Sequence, residues 1–88
     1  MNDVIFKKRA FEEYLYWQMQ DKKTLKKINQ IIKDIARSGH NGIGKSEALI
    51  GNLNGFWSRR IDGKNRLIYK IIDNKICIYN CRGHYDDK

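Results

Sequence analysis

The chain has 88 residues, with 18 Lys and Arg against 10 Asp and Glu, a formal net charge of +8 at pH 7. So short a chain buries only ~60–65 % of the surface it exposes when unfolded, which allows one domain over residues 1–88 with one core and excludes a second. Its longest apolar stretches, such as Val4-Ile5-Phe6 and Leu67-Ile68-Tyr69, fall far short of the ~18 residues of a membrane span, and Met1-Asn2-Asp3 lacks the basic start and apolar middle of a secretory signal, so a soluble, cytoplasmic protein is expected.

The positive charge favours a polyanionic partner, because neutralising phosphates releases counterions. An acidic protein would satisfy the same field. An anionic membrane fits less well, since no markedly amphipathic terminal helix is present. Cys77 and Cys81 lie four apart in a strand-like run, which places them on one face roughly 13 Å apart at ~3.3 Å per residue. That is too far for a disulfide. With His40 and His84 the only histidines and no Cys-x-x-C pair, neither a zinc site nor any other cofactor is implied.

Asp3 to Lys7 reads as a short strand that begins a sheet. From Lys8 to Gln20, Phe11, Tyr14, Leu15 and Trp17 recur at helical spacing, with Glu12 and Glu13 near the start, where the helix dipole favours acids. Asp21 is placed to cap a second helix, in which Leu25, Ile28, Ile31, Ile32 and Ile35 form an apolar stripe and Lys22, Lys23, Lys26, Lys27 and Lys33 occupy much of the rest. That helix should end near Ser38-Gly39. Residues 39–55 hold Gly39, Gly42, Gly44, Gly51 and Gly55 without a regular period, so a loop is expected, with at most a short turn around Glu47 to Ile50. Three strand-like runs follow, Phe56 to Ile61, Arg66 to Ile72 and Lys75 to Arg82, separated by Asp62-Gly63-Lys64-Asn65 and by Asp73-Asn74. The order predicts an α+β domain: an N-terminal strand, then a helical hairpin packed on one face of a small antiparallel sheet, the other face left open.

Register gives this open face a function. A three-residue loop, Asp62-Gly63-Lys64, pairs Arg60 with Arg66 and keeps Trp57 and Ile61 on the side of Leu67, Tyr69 and Ile71. A two-residue loop would send Ile61 and Leu67 to opposite faces. The odd loop therefore makes Arg60 and Arg66 cross-strand neighbours away from the core, where two guanidinium groups repel unless an anion lies between them.

The segments Tyr14-Leu15-Tyr16-Trp17-Gln18, Lys26-Lys27-Ile28-Asn29, Gly44-Lys45-Ser46-Glu47, Gly55-Phe56-Trp57-Ser58-Arg59-Arg60-Ile61, Arg66-Leu67-Ile68-Tyr69 and Cys81-Arg82-Gly83-His84-Tyr85 together resemble the YoeB branch of the RelE/ParE toxin superfamily, in collinear order over nearly the whole chain. The resemblance implies a RelE-like, microbial-ribonuclease-like fold. It also implies a toxin that enters the ribosomal aminoacyl site, cleaves mRNA without a metal and is neutralised by an acidic YefM-type antitoxin. By that resemblance Glu47 is the general base toward the RNA 2′-hydroxyl and His84 the general acid toward the departing 5′-oxygen, an imidazole being the side chain that titrates closest to neutral pH. Arg66 and Arg60 hold the scissile phosphate, and Tyr85 stacks on or orients the RNA. Lys45, Arg59, Arg82 and the lysine face formed by Lys22, Lys23, Lys26 and Lys27 are candidates for further phosphate contacts with mRNA and ribosomal RNA.

Taken without that resemblance, Glu47 and His84 read as surface groups and Arg59 and Arg82 as solvated or phosphate-tethering residues. Trp57, Tyr69, Tyr14, Tyr16 and Trp17 read as core or helix packing. Two departures from the family pattern bear on the site. Relatives commonly carry a lysine three residues after the glutamate, where this chain has Ile50, so that cation is missing or replaced by Lys45. The chain also continues past the His-Tyr pair with Asp86-Asp87-Lys88. The competing readings are a ParE-like gyrase inhibitor, against which Glu47 and the terminal His84-Tyr85 pair argue, and a non-catalytic RNA-binding module. Whether such a toxin works as a monomer or a homodimer is left open by the sequence.

Overall fold

The computed structural model describes residues 3–84. In chain order the elements are β1 (Asp3–Phe6), α1 (Lys8–Gln20), α2 (Lys22–Ser38), β2 (Glu47–Ala48), a 3-10 turn (Gly51–Leu53), β3 (Trp57–Arg60), β4 (Arg66–Ile72) and β5 (Lys75–Asn80). Asp21 begins α2 as expected: Oδ1 accepts from the backbone N–H groups of Lys23 and Thr24, two donors that have no partner within the helix. Gly39, at φ 65, ends it. The four apolar residues Ile28, Ile31, Ile35 and, from α1, Trp17 are buried against Leu67, Tyr69, Ile76 and Ile78 of the sheet. On α1 the burial differs from the expected stripe. Ala10 and Trp17 face the core, whereas Phe11 and Leu15 stay 50 % and 42 % exposed.

The sheet has five strands in the order β1-β5-β4-β3-β2. Two features depart from the expected antiparallel sheet. β1 joins parallel to β5, because α1 and α2 carry the chain back across the sheet before β5 is made, so the sheet is mixed. Within the expected 39–55 loop, Glu47 and Ala48 pair antiparallel with Ser58 and Trp57, adding an edge strand too short to show a period. The 49–56 excursion then folds over part of the open face, so that Leu49 and Ile68 are buried there.

The β3–β4 hairpin has the odd register, with Trp57 opposite Tyr69, Arg59 opposite Leu67 and Arg60 opposite Arg66. The β4–β5 turn is the two-residue type, Asp73 and Asn74 both lying at positive φ (50 and 63). Between β4 and β5 the register shifts: Tyr69 faces Ile78 but Ile68 faces Asn80, which leaves Tyr79 as an extra residue. A bulge of this kind reverses the alternation beyond it. The expectation that Cys77 and Cys81 share a face is therefore wrong. Cys81 packs in the core with its thiol toward the Ala10 carbonyl, whereas Cys77 lies opposite Lys70 on the other side. Both cysteines are buried.

Candidate functional site

The face of the sheet away from the helices collects the charged candidates by strand register alone. Ser58 and Arg60 alternate onto that face of β3, Arg66 lies beside Arg60 on β4, and Glu47 lies beside Ser58 on β2. Lys45, Glu47, Ser58, Arg60 and Arg66 line a cleft of about 190 Å³. None of the described residues makes an ion pair with Glu47, so its carboxylate is open to a ligand. Arg66 is tethered: Nη1 donates to the carbonyls of Asp62 (2.6 Å) and Asn65 (3.1 Å) at the hairpin turn. Lys45, in the left-handed region at φ 47, brings an ammonium to the cleft. Ile50, at the position where related toxins are expected to carry lysine, is 85 % exposed and does not line it. Lys45 does line it.

The segment after β5 runs on beside the start of β4. The Arg66 N–H donates to the Gly83 carbonyl (2.9 Å), and the Gly83 N–H donates to Asn65 Oδ1 (2.8 Å). His84 follows directly and is half-buried, so its backbone stands next to Arg66. Across the sheet Arg66, Arg60 and Glu47 follow one another on strands spaced ~4.8 Å apart, and His84, the residue after Gly83, comes on the Arg66 side. α1 holds this segment from beneath. Trp17 Nε1 donates to the Cys81 carbonyl (2.8 Å), Glu13 Oε1 accepts from the Cys81 N–H (2.7 Å), and Arg82 lies over the Tyr16 ring at 3.6 Å. Glu13, expected to favour the helix dipole, is instead used to grip the end of β5. Tyr85 and the Asp86-Asp87-Lys88 extension lie outside the described residues.

Of the remaining candidates, Lys22, Lys23 and Lys26 are exposed on α2, and Lys23 and Lys27 line a groove against Ile61 and Asp62 of the hairpin. Arg59 must be corrected. It sits on the core side of β3, is 0 % exposed, and pairs with Asp34 of α2 at 2.8 Å, so it is neither solvated nor available to phosphate. The reason is alternation: the register that frees Arg60 turns Arg59 inward. Burial permits this only because the guanidinium has a carboxylate and three backbone carbonyls as partners. The hydrogen bond from Arg59, reinforced by those from the Ile43 N–H and Arg37, holds the Asp34 carboxyl below its ordinary value against the opposing effect of burial. His40 stacks on Trp57 at 3.8 Å and shares a hydrogen bond with the Tyr69 hydroxyl (3.2 Å). Burial, and then the Arg59 charge, push its pKa down, which favours the neutral ring. Ser58, buried in the cleft floor, was missed in the sequence, although alternation from Arg60 marks its face.

The comparisons agree with this architecture. Residues 6–85 match the model of the YoeB-like toxin of bacterial type II toxin-antitoxin systems. Toxin YoeB of Escherichia coli K12 is 48 % identical over 82 residues, 93 % of this chain and 98 % of the relative. Among solved structures, a toxin in a heterotetrameric YoeB-YefM complex from Staphylococcus aureus superposes with a TM-score of 0.89 at 48 % identity, covering 97 % of this chain and 99 % of that one. A YoeB dimer from the same organism gives 0.88 at 49 % identity, covering 94 % and 97 %. With its helical hairpin, mixed sheet and matching span, the chain belongs to the YoeB-like toxins of bacterial type II toxin-antitoxin systems.

Proposed function

We infer that this toxin is a ribosome-dependent endoribonuclease that cuts mRNA in the aminoacyl site and so stops translation in the cytoplasm. The observation that carries the reading is one open carboxylate and three cations, Glu47 with Lys45, Arg60 and Arg66, lining a single cleft. Such a set suits RNA, whose own 2′-hydroxyl supplies the nucleophile and leaves the protein to provide a base, an acid and phosphate-binding cations. Glu47 takes the 2′-hydroxyl proton as that oxygen attacks phosphorus. The bond from phosphorus to the 5′-oxygen breaks, and His84 gives that oxygen a proton. The products are a 2′,3′-cyclic phosphate and a downstream 5′-hydroxyl. Arg60 and Arg66 meet the extra negative charge of the phosphorane-like transition state, aided by Lys45, and Tyr85 orients the RNA. No step in this sequence calls for a metal ion.

Two arginines held side by side on an open face are unfavourable until an anion separates them, which makes the cleft better matched to a bound phosphate than to its empty state. The lysines of α2 (Lys22, Lys23, Lys26 and Lys27), with Arg82, face ribosomal RNA in this reading. An acidic YefM-type antitoxin neutralises the toxin, as the Staphylococcus aureus relative in complex with YefM suggests, and a homodimer is a further assembly by the same analogy.

The test adds purified protein to ribosomes programmed with a defined mRNA and maps the ends by primer extension. Cleavage should yield a cyclic phosphate and should vanish when the scissile nucleotide is 2′-deoxy. Undiminished cutting of the deoxy template would sink the mechanism.

A further inference from the structure

Two residues remote from the cleft surface converge on the segment that delivers Glu47. Arg59 of β3 donates through Nη1 to Asp34 Oδ2 (2.8 Å) and to the Ile43 carbonyl (2.6 Å), and through Nη2 to the carbonyls of Gly39 (2.6 Å) and Asn41 (3.2 Å). Asp34 Oδ2 in turn accepts from the Ile43 N–H (3.0 Å), while Oδ1 accepts from Arg37 (3.1 Å). One buried ion pair therefore grips the loop at three residues. Gly42 fits so closely that a Cβ there would lie 1.8 Å from Asp34 Oδ2. At Gly44 the loop is handed to β3, where the Arg60 N–H donates to the Gly44 carbonyl (2.5 Å). Only Lys45 and Ser46 separate that point from Glu47.

The segment beyond the grip has little of its own to hold it. β2 is an edge strand of two residues, paired on one side only, and so brief a pairing has low resistance to local opening. A buried guanidinium is expensive to keep unless fully partnered, and here nearly all its partners belong to the loop. We propose that Asp34 and Arg59 are positioning residues: by clamping residues 39–43 they set where Lys45 and Glu47 stand relative to the arginine pair. This rests on the reading of Glu47 as the general base. The four N–H groups of Nη1 and Nη2 reach a carboxylate and three carbonyls together, while the buried Nε has no partner among the described residues, and lysine, with three donors on one nitrogen, cannot make that set.

The test compares wild type with Glu47→Gln, Gly42→Ala, Arg59→Lys and the double variant Glu47→Gln/Gly42→Ala in single-turnover cleavage on programmed ribosomes, alongside amide exchange at residues 43–49 and urea unfolding. Glu47→Gln should lose ~10²–10⁴ in rate. Gly42→Ala and Arg59→Lys should stay folded, exchange faster at residues 43–49, and lose ~10–10² in rate, the size expected for a misplacement of about 1 Å. Half-saturation by ribosomes should shift by less than ~3-fold, because the loss lies in the chemical step. The double variant should be no slower than Glu47→Gln within about 3-fold, since a clamp that acts through Glu47 has nothing left to position. A purely structural role predicts that the two losses multiply, and that result would overturn the proposal. So would a folded Gly42→Ala or Arg59→Lys protein that cleaves at the wild-type rate while Glu47→Gln is dead, or one whose exchange at residues 43–49 is unchanged. A fully active Glu47→Gln protein is a different pattern, and it removes the general-base reading itself together with this inference.

Discussion

In the proposed mechanism Arg60 and Arg66 form a pair that is poor for the empty fold and good for a bound phosphate. They face one another across β3 and β4 on the open side, so Arg60→Gln should raise stability slightly, by about 0.2–0.5 kcal/mol, as like charges are separated. The same change should lower single-turnover cleavage by ~10²–10³, the loss expected for one transition-state donor. Urea midpoints and cleavage rates on one preparation check both signs. Trp17 makes the opposite kind of contribution. Its indole N–H donates to the Cys81 carbonyl in the core, and Trp17→Phe removes that hydrogen bond, which should cost about 0.5–1.5 kcal/mol in urea unfolding.

At the scale of elements, the two ends of the site are held with unequal strength. β4 is central, paired by β3 and β5, and anchors Arg66; β2 is a two-residue edge. Amides of Glu47 and Leu49 should exchange well before those of Leu67 to Ile71 under native conditions, and equal protection of the two strands would contradict this account. The lysine face of α2 carries a separate prediction. Changing Lys22, Lys23, Lys26 and Lys27 together to glutamine should flatten the dependence of log ribosome affinity on log salt by roughly 3–4, near 0.7–0.9 for each phosphate no longer neutralised. The catalytic rate at saturation should be unaffected, because none of the four lines the cleft. Element by element, the apolar spacing of α2, its Asp21 cap and the Asp73-Asn74 turn were legible in the chain because each is a local pattern. β2 was not, since two residues show no alternation and their strand character comes from Ser58 and Trp57 across the gap.

For the molecule as a whole, acid is the informative stress. The hydrogen bond from Arg59 holds Asp34 below its ordinary 3.8. Burial pushes Asp62 upward, yet hydrogen bonds from Lys64 and Asn65 outweigh it and leave it low as well. His40 lies below its ordinary 6.5, mainly through burial. In all three the unfolded chain binds protons more readily, so their stabilisation is present above the ordinary values and is lost as pH falls through the folded ones. The urea midpoint should begin to decline below pH 6.5 and fall more steeply below 3.8. His40→Gln should remove the first decline and Asp34→Asn part of the second.

The chain by itself determined the helical hairpin, the three-strand meander and the pairing of Arg60 with Arg66, because these follow from periods of 3.6 and 2 and from one loop length. Its motifs also pointed to the toxin family, which the matching relatives bear out. Tertiary structure alone decided three things. It turned Arg59 inward, where a partner 25 positions earlier in the chain makes burial tolerable. It shifted the register at Tyr79, so that Cys81 enters the core and the segment bearing His84 runs beside Arg66. It also drew a glycine-rich loop into the sheet edge, bringing Glu47 and Lys45 to the arginine pair. Each depends on contacts between residues far apart in sequence, and local periodicity carries no record of such contacts.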